Sequence, residues 1–253
     1  MTGLAIINSG FTFPAGTTGL LGPFPTDTYN SQLAAVAQSA GITHVFDPAF
    51  YSATTGIALD LNSAGTMTSA NKVPVTPNAL NGQPLWTFAA GGSQLGFISN
   101  FVKTETSFSL AFLIQQAAAD QTFATDKIVW SSGASSNSFD QKGGNSTFIT
   151  YYAGQVGPSL SIPGPFTQIL LCSYDSETKS YVVQDKSGNV LASATTTIDF
   201  ASGSAWQYGG FSGTLGFQGS LGQLVICNQA LHLSANATAK ATLLATLRSK
   251  YGL

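Results

Sequence analysis

From residue 42 onward the chain reads as short runs of alternating apolar and polar residues, broken repeatedly by Gly, Asn, Ser and Pro. Period-two alternation with frequent turn residues is the pattern of an antiparallel β sandwich. Its clearest instance is Phe108, Leu110, Phe112 and Ile114, interleaved with Ser107, Ser109, Ala111 and Leu113, so that a heavy face turns inward. Further strands are predicted at 45–49, 82–88, 127–133, 147–152, 168–175 and 179–188, and at the β-branched run 221–227. Trp86 and Phe88 are assigned to the core.

The two ends depart from this period. Residues 1–26 are rich in Gly and Pro yet carry Phe11, Phe13, Leu20, Leu21 and Phe24. That is too little periodicity for a core and too much apolar surface for a free linker. Such an arm is expected to dock on its own domain, on a sister subunit or on an assembly partner. Thr26 or Asp27 then caps a short helix bearing Tyr29, Leu33, Val36 and Ala37, closed near Gly41. At the far end, a turn at Asn228 and Gln229 leads to Ser234, an N-cap for a helix with Leu243, Leu244, Leu247 and Tyr251 on one face. Gly252 ends that helix. The chain thus divides into an arm with a short helix, 1–41, and a β domain, 42–253. No internal repeat is present. The Gly/Ser/Asn stretch 131–146 reads as a mobile loop, the kind of rim segment that usually carries recognition.

The closing order carries a family likeness. Phe217-Gln218-Gly219-Ser220-Leu221, then Asn228-Gln229-Ala230-Leu231, then Leu247 through Lys250-Tyr251-Gly252 resemble the final strand and helix of the laminin-G-like, concanavalin A-like jelly-roll superfamily. Val45 to Ala49, Gly82 to Phe88, Gly91 to Leu95 and the hairpin 168–188 resemble its earlier strands in the right order. The resemblance spans 42–253 and implies an all-β jelly-roll sandwich of two antiparallel sheets closed by a C-terminal helix.

Composition then narrows the setting. Only 8% of residues are charged, against roughly 25% in typical soluble proteins, so hydroxyls and amides solvate the surface. Extracellular adhesins and virion proteins often look like this. A net charge of −2 with no Lys/Arg cluster excludes a nucleic-acid footprint. No apolar run is long enough to span a membrane as a helix. The N-terminus lacks the basic region and long apolar core of a secretory signal. Cytoplasmic synthesis and a polar β surface together fit a phage virion component.

Catalytic chemistry finds little to stand on. Glycosidases on this fold set carboxylates on alternate positions of one strand as E-x-D-x-x-E, but Glu105 and Glu177 stand far apart and alone. His44 and His232 are expected to be structural or exposed, and no Gly-x-Ser-x-Gly elbow occurs. A calcium site would need Asp120, Asp126 and Asp140, with Asn137 and Asn145, to converge from two loops. Cys172 and Cys227 read as small buried hydrophobes, the alternative being a disulfide between neighbouring strands. Two glycosylation sequons, at Asn145 and Asn236, read as chance.

Sugar binding needs aromatic faces beside hydroxyl and amide donors. Trp130, Tyr151, Tyr152, Trp206 and Tyr208 are the candidates. The expected function is a non-enzymatic adhesion or structural module of a phage particle: a decoration, head-fibre or tail-associated protein. It would contact other virion proteins, its own copies and host-surface glycan, with no cofactor. The alternative is a secreted carbohydrate-binding module or a degenerate glycanase.

Overall fold

Strands dominate because β-branched and aromatic residues alternate with small polar ones, and the inward set is heavy enough to close around itself. The computed structural model describes residues 28–89, 96–121, 123, 125–132, 137–143, 146–152, 155–197, 199–200, 203–210 and 216–253, with the side chains of 28–31 outside that set. The arm residues Phe11, Phe13, Leu20, Leu21 and Phe24 lie outside the described residues. A short helix, α1 (Thr28–Ala37), comes first, then β1 (Ile42–Ser52), β2 (Ile57–Asp60), β3 (Thr66–Thr68), β4 (Val75–Leu80) and β5 (Gln83–Phe88). The middle of the chain forms β6 (Phe97–Val102), β7 (Phe108–Gln116), β8 (Lys127–Ser132), β9 (Ser138–Gln141), β10 (Thr147–Tyr152) and β11 (Gln155–Ser161). It closes with β12 (Phe166–Asp175), β13 (Ser180–Gln184), β14 (Val190–Thr195), β15 (Ala205–Tyr208), β16 (Gly219–Cys227) and α2 (Ala237–Tyr251).

The strands pair antiparallel along one continuous path, β11-β10-β9-β8-β15-β6-β3-β2-β1-β16-β7-β12-β13-β14, with the β4–β5 hairpin joined to β16. The two ends of the path, β11 and β14, come to lie against each other. The result is an all-β, nearly closed barrel or flattened sandwich rather than two separate sheets, which corrects the expected division. Hydrogen-bonded continuity around the rims, through short strands such as β3 and β15, is what a sequence pattern does not display. The stretch 131–146 is also corrected. Part of it is β9, buried at every position, because Phe139 turns inward to stack on Phe148 at 5.5 Å between centroids.

Two apolar clusters follow from side-chain parity. Phe108, Leu110, Phe112 and Ile114 face an aromatic interior shared with Trp86, Trp130, Trp206, Tyr174 and Tyr208. Ala111 and Leu113 face the opposite way, beneath Leu33 and Val36 of α1 and Leu243, Leu244 and Leu247 of α2. β12 and β16 split likewise: Cys172 belongs to the inner cluster and Cys227 to the outer one. The thiols are free; they stand on opposite faces of the sheet and cannot pair, so both are buried small hydrophobes. Burial pushes the Cys172 thiol up to about 12.

The turn of the outer layer is set at Gly222. There β16 exchanges one partner for another: residues 219–221 pair with β5, and residues 224–227 pair with β1. The switch strands backbone groups, which two tyrosines recover. Gln223 N–H donates to Tyr251 Oη at 2.7 Å, and Tyr208 Oη donates to the Gly222 carbonyl at 3.3 Å. A Cβ on Gly222 would sit 2.6 Å from Tyr251 Oη and 2.8 Å from Leu113 Cβ, so only glycine lets the helix approach. α2 itself begins later than Ser234. Ser234–Asn236 is one 3-10 turn, and the Asn236 amide donates to the Ala230 carbonyl instead of capping. The helix ends as expected, with Gly252 left-handed at φ 67°. Lys250 in its last turn forms an ion pair with Asp47 of β1 in which both side chains are 4% exposed.

Candidate functional site

Where α2 stops, the outer face of the sheet changes character. The residues one or two pairs further along are Thr87 on β5, Ser220 on β16, Gln115 on β7 and Thr167 on β12. They stand in one register row, since Ser220 pairs with both Thr87 and Gln115, and Gln115 pairs with Thr167. Strand parity puts all four on the face that carries Leu113 and Leu171, but no helix covers them. Gln115 Nε2 donates to Thr167 Oγ1 at 3.1 Å, and at the far end the Thr76 and Thr87 hydroxyls are 2.7 Å apart.

This row opens into a cleft of about 400 Å³, lined also by Asp120, Pro165 and Phe166. Phe166 is half-buried; its ring turns to the inner side of β12 and meets Phe148 edge-on at 6.1 Å, so the residue borders the cleft at the strand end. Asp120 belongs to a one-turn 3-10 segment, Ala118–Gln121, and accepts the Ala117 N–H at 2.8 Å. The floor is pinned by amides. Gln116 Nε2 donates to Gln141 Oε1 and to the Gln218 carbonyl, both at 2.6 Å. Gln121 bridges across the opening, donating to the Ile162 carbonyl at 2.9 Å and accepting Gly164 N–H at 2.8 Å. The cleft therefore presents hydroxyls, an amide and a carboxylate along the sheet, with Pro165 and Phe166 at its border. A second opening of about 310 Å³, beside Ile98 and Asn100, offers no titratable group.

The aromatics expected to meet sugar mostly do something else. Trp130, Trp206 and Tyr208 are at most 1% exposed and Tyr152 is 5% exposed. They fill the interior, where Trp130 and Trp206 pack edge-to-face at 6.1 Å. That corrects their assignment: a ring enclosed on both faces has none left for a ligand. Only Tyr151 is half-exposed, and its hydroxyl accepts from Lys142 Nζ at 3.1 Å.

The three aspartates do not converge either, and among the described residues no group of three metal-ligating side chains forms. Asp120 lines the cleft. Asp126 accepts from Lys142 and from Gly143 N–H, so its carboxylate is already engaged. Asp140 is buried on β9 beside that pair. Burial, aided by the Asp126 charge, lifts its carboxyl to about 7 against the hydrogen bond from Ser138. Asn137 is 3% exposed on the same segment, and Asn145 lies outside the described residues. Both histidines make side-chain hydrogen bonds within the fold. His44 Nδ1 is 2.6 Å from Asp60 Oδ2, and its ring stacks on Phe101 at 3.7 Å. His232 is held between Ser173 Oγ on Nδ1 and Ser180 Oγ on Nε2, both at 2.7 Å.

Sequence reasoning therefore missed Gln115, Phe166, Thr167 and Ser220, and named Asp120 for a different role. A parity count would have put Gln115 and Thr167 outward; nothing local said that β5, β16, β7 and β12 align in that order.

No protein-family model matches the chain, and no curated protein matches it. Among solved structures it is similar to Trypanosoma rangeli sialidase in complex with sialic acid, with 14% identity, a TM-score of 0.56, and coverage of 83% of this chain and 33% of that one. A mutant of the same sialidase displaying trans-sialidase activity matches at 11% identity and TM-score 0.54, over 88% of this chain and 38% of that one. The botulinum neurotoxin type G receptor-binding domain matches at 10% identity and TM-score 0.55, over 82% of this chain and 51% of that one. The likeness is one of β-rich fold. This chain spans about a third of the length of the sialidases and about half that of the toxin domain.

Proposed function

We propose that this domain is a non-catalytic carbohydrate-binding module that holds glycan in the cleft beside Gln115, Thr167 and Phe166. The observation that carries the reading is the uncovered polar row of Thr87, Ser220, Gln115 and Thr167 running into a cleft bordered by Asp120, Pro165 and Phe166. Sugars offer hydroxyls at their edges, and a row of hydroxyl and amide groups beside a carboxylate answers them. Its single lining carboxylate, already accepting a backbone N–H, supports binding over the two-carboxylate hydrolysis that most glycosidases use. Two of the similar structures point the same way, one being a sialidase with sialic acid bound and one a receptor-binding domain. The setting that fits the charge-poor surface is a virion, where the domain would join neighbouring particle proteins or its own copies and display the cleft to a host cell. A reading frame flanked by capsid and tail genes supports that setting; a reading frame that opens with a secretory signal argues against it.

A glycan array probed with the folded chain tests the site. Saturable binding is expected, weakened about tenfold by Gln115→Ala, the loss of one or two hydrogen bonds. Binding that ignores Gln115→Ala and Phe166→Ala moves the site elsewhere, and a folded chain that binds no glycan overturns the reading.

A further inference from the structure

Resting on that reading of the cleft, we infer that the site is built for uncharged sugars and rejects acidic ones such as sialic or uronic acids. Among the described residues, the cleft is lined by one charged side chain, Asp120, and by no Lys, Arg or His. The only arginine of the chain is Arg248, in the last turn of α2. A sugar carboxylate placed here would be taken out of water beside Asp120, with no cation or positively charged fork to receive it. Like charges in a partly desolvated cleft repel far more strongly than in bulk water, and a buried anion without a partner loses its hydration uncompensated.

The other groups favour a neutral ring. Gln115, Thr167 and Ser220 supply amide and hydroxyl partners that donate and accept, as sugar hydroxyls do. Asp120 accepts one hydrogen bond, from Ala117 N–H. A carboxylate keeps capacity for further donors, and a pair of adjacent sugar hydroxyls fills it. Discrimination is thus achieved by a repulsive element next to attractive ones. The shared fold with a sialic-acid-bound sialidase does not carry the anion-binding chemistry with it, because that chemistry would require side chains this cleft lacks.

The test compares two immobilised oligosaccharides of hexose and N-acetylhexosamine, identical except that one ends in sialic acid. The folded chain is expected to bind the neutral one at least tenfold more tightly, with the gap narrowing as salt screens the repulsion. Asp120→Asn, whose side-chain oxygen still accepts the Ala117 N–H, should close the gap at least threefold. Equal binding of both glycans, a preference for the acidic one, or a gap unmoved by Asp120→Asn overturns the inference while leaving a glycan site standing. Failure of both glycans and of a wider array to bind overturns the site itself.

Discussion

The helix-covered and helix-free ends of one sheet face solve opposite problems with the same strands. Under α2, β7, β12 and β16 present Ala111, Leu113, Leu171 and Val225 to Leu243 and Leu247. A few residues along, the same strands present Gln115, Thr167 and Ser220 to open space. The change happens where the helix ends, at the Gly222 switch. A helix buries its own apolar stripe and the sheet beneath it together, so the covered end is built for stability. The free end must satisfy its polar groups with one another and with whatever binds. Mutations should therefore separate into those that unfold the protein and those that change only its surface chemistry.

The sharpest test is Lys250→Met. It leaves Asp47 buried without its cation, expected to destabilise by about 3–5 kcal/mol in denaturant unfolding. The double change Asp47→Leu with Lys250→Met should recover much of this; if it does not, the pair matters for more than charge neutrality. Next comes Leu247→Ala, fully buried beneath α2. A loss of about 2–5 kcal/mol is expected, and a loss below about 1 kcal/mol would mean that the helix is not what holds the covered end together. At the free end, Thr87→Val should shift stability by less than about 0.5 kcal/mol. A larger loss would make the polar row structural and erase the distinction.

pH separates the strands under α2 from the β8–β11 region, where Asp140 is buried. Burial holds the Asp140 carboxyl at about 7, whereas an unfolded aspartate releases its proton near about 4. The stabilisation from its protonated form is complete below about pH 4 and is lost as pH rises through about 7. Asp140→Asn should remove that decline, raising stability at pH 8 by about 1–3 kcal/mol with little change at pH 4. His232 acts in the other direction. Burial first, and the nearby Lys240 charge, lower its pKa against the pull of Asp175. Its unfolded counterpart takes up a proton near about 6.5, so stability is full above that pH and falls as pH drops below it. This is the smallest effect of the set. A His232→Gln variant whose melting temperature keeps the wild-type acid slope between pH 6.5 and 5 would assign that slope to another group.

Much of the architecture was legible locally. The alternation at Phe108 to Ile114, the apolar run into Cys227 and the Leu243, Leu247, Tyr251 face each mapped onto the layer they occupy. The aromatic site was not legible, because a Trp or Tyr on a strand reads the same whether its outward neighbour is solvent or another strand. Trp206 and Tyr208 stand on the four-residue β15, which pairs with β8 beside Trp130 and carries almost no pattern. The hydroxyl of Tyr251 shows the same limit: its position on the helix was readable, and its capture of Gln223 N–H was not.

By itself, the sequence determined the β class, the two helices, the inward-facing residues of the long strands and the absence of a basic or membrane-spanning helical segment, since these follow from periodicity and composition. Only the tertiary structure decided that the strands form one continuous path, that four of the five chosen aromatics are core, and that Gln115, Thr167 and Ser220 stand in a row beside Asp120 and Phe166. Strand order and register join residues well over a hundred positions apart, such as Ile42 with Cys227, and no local pattern carries that information.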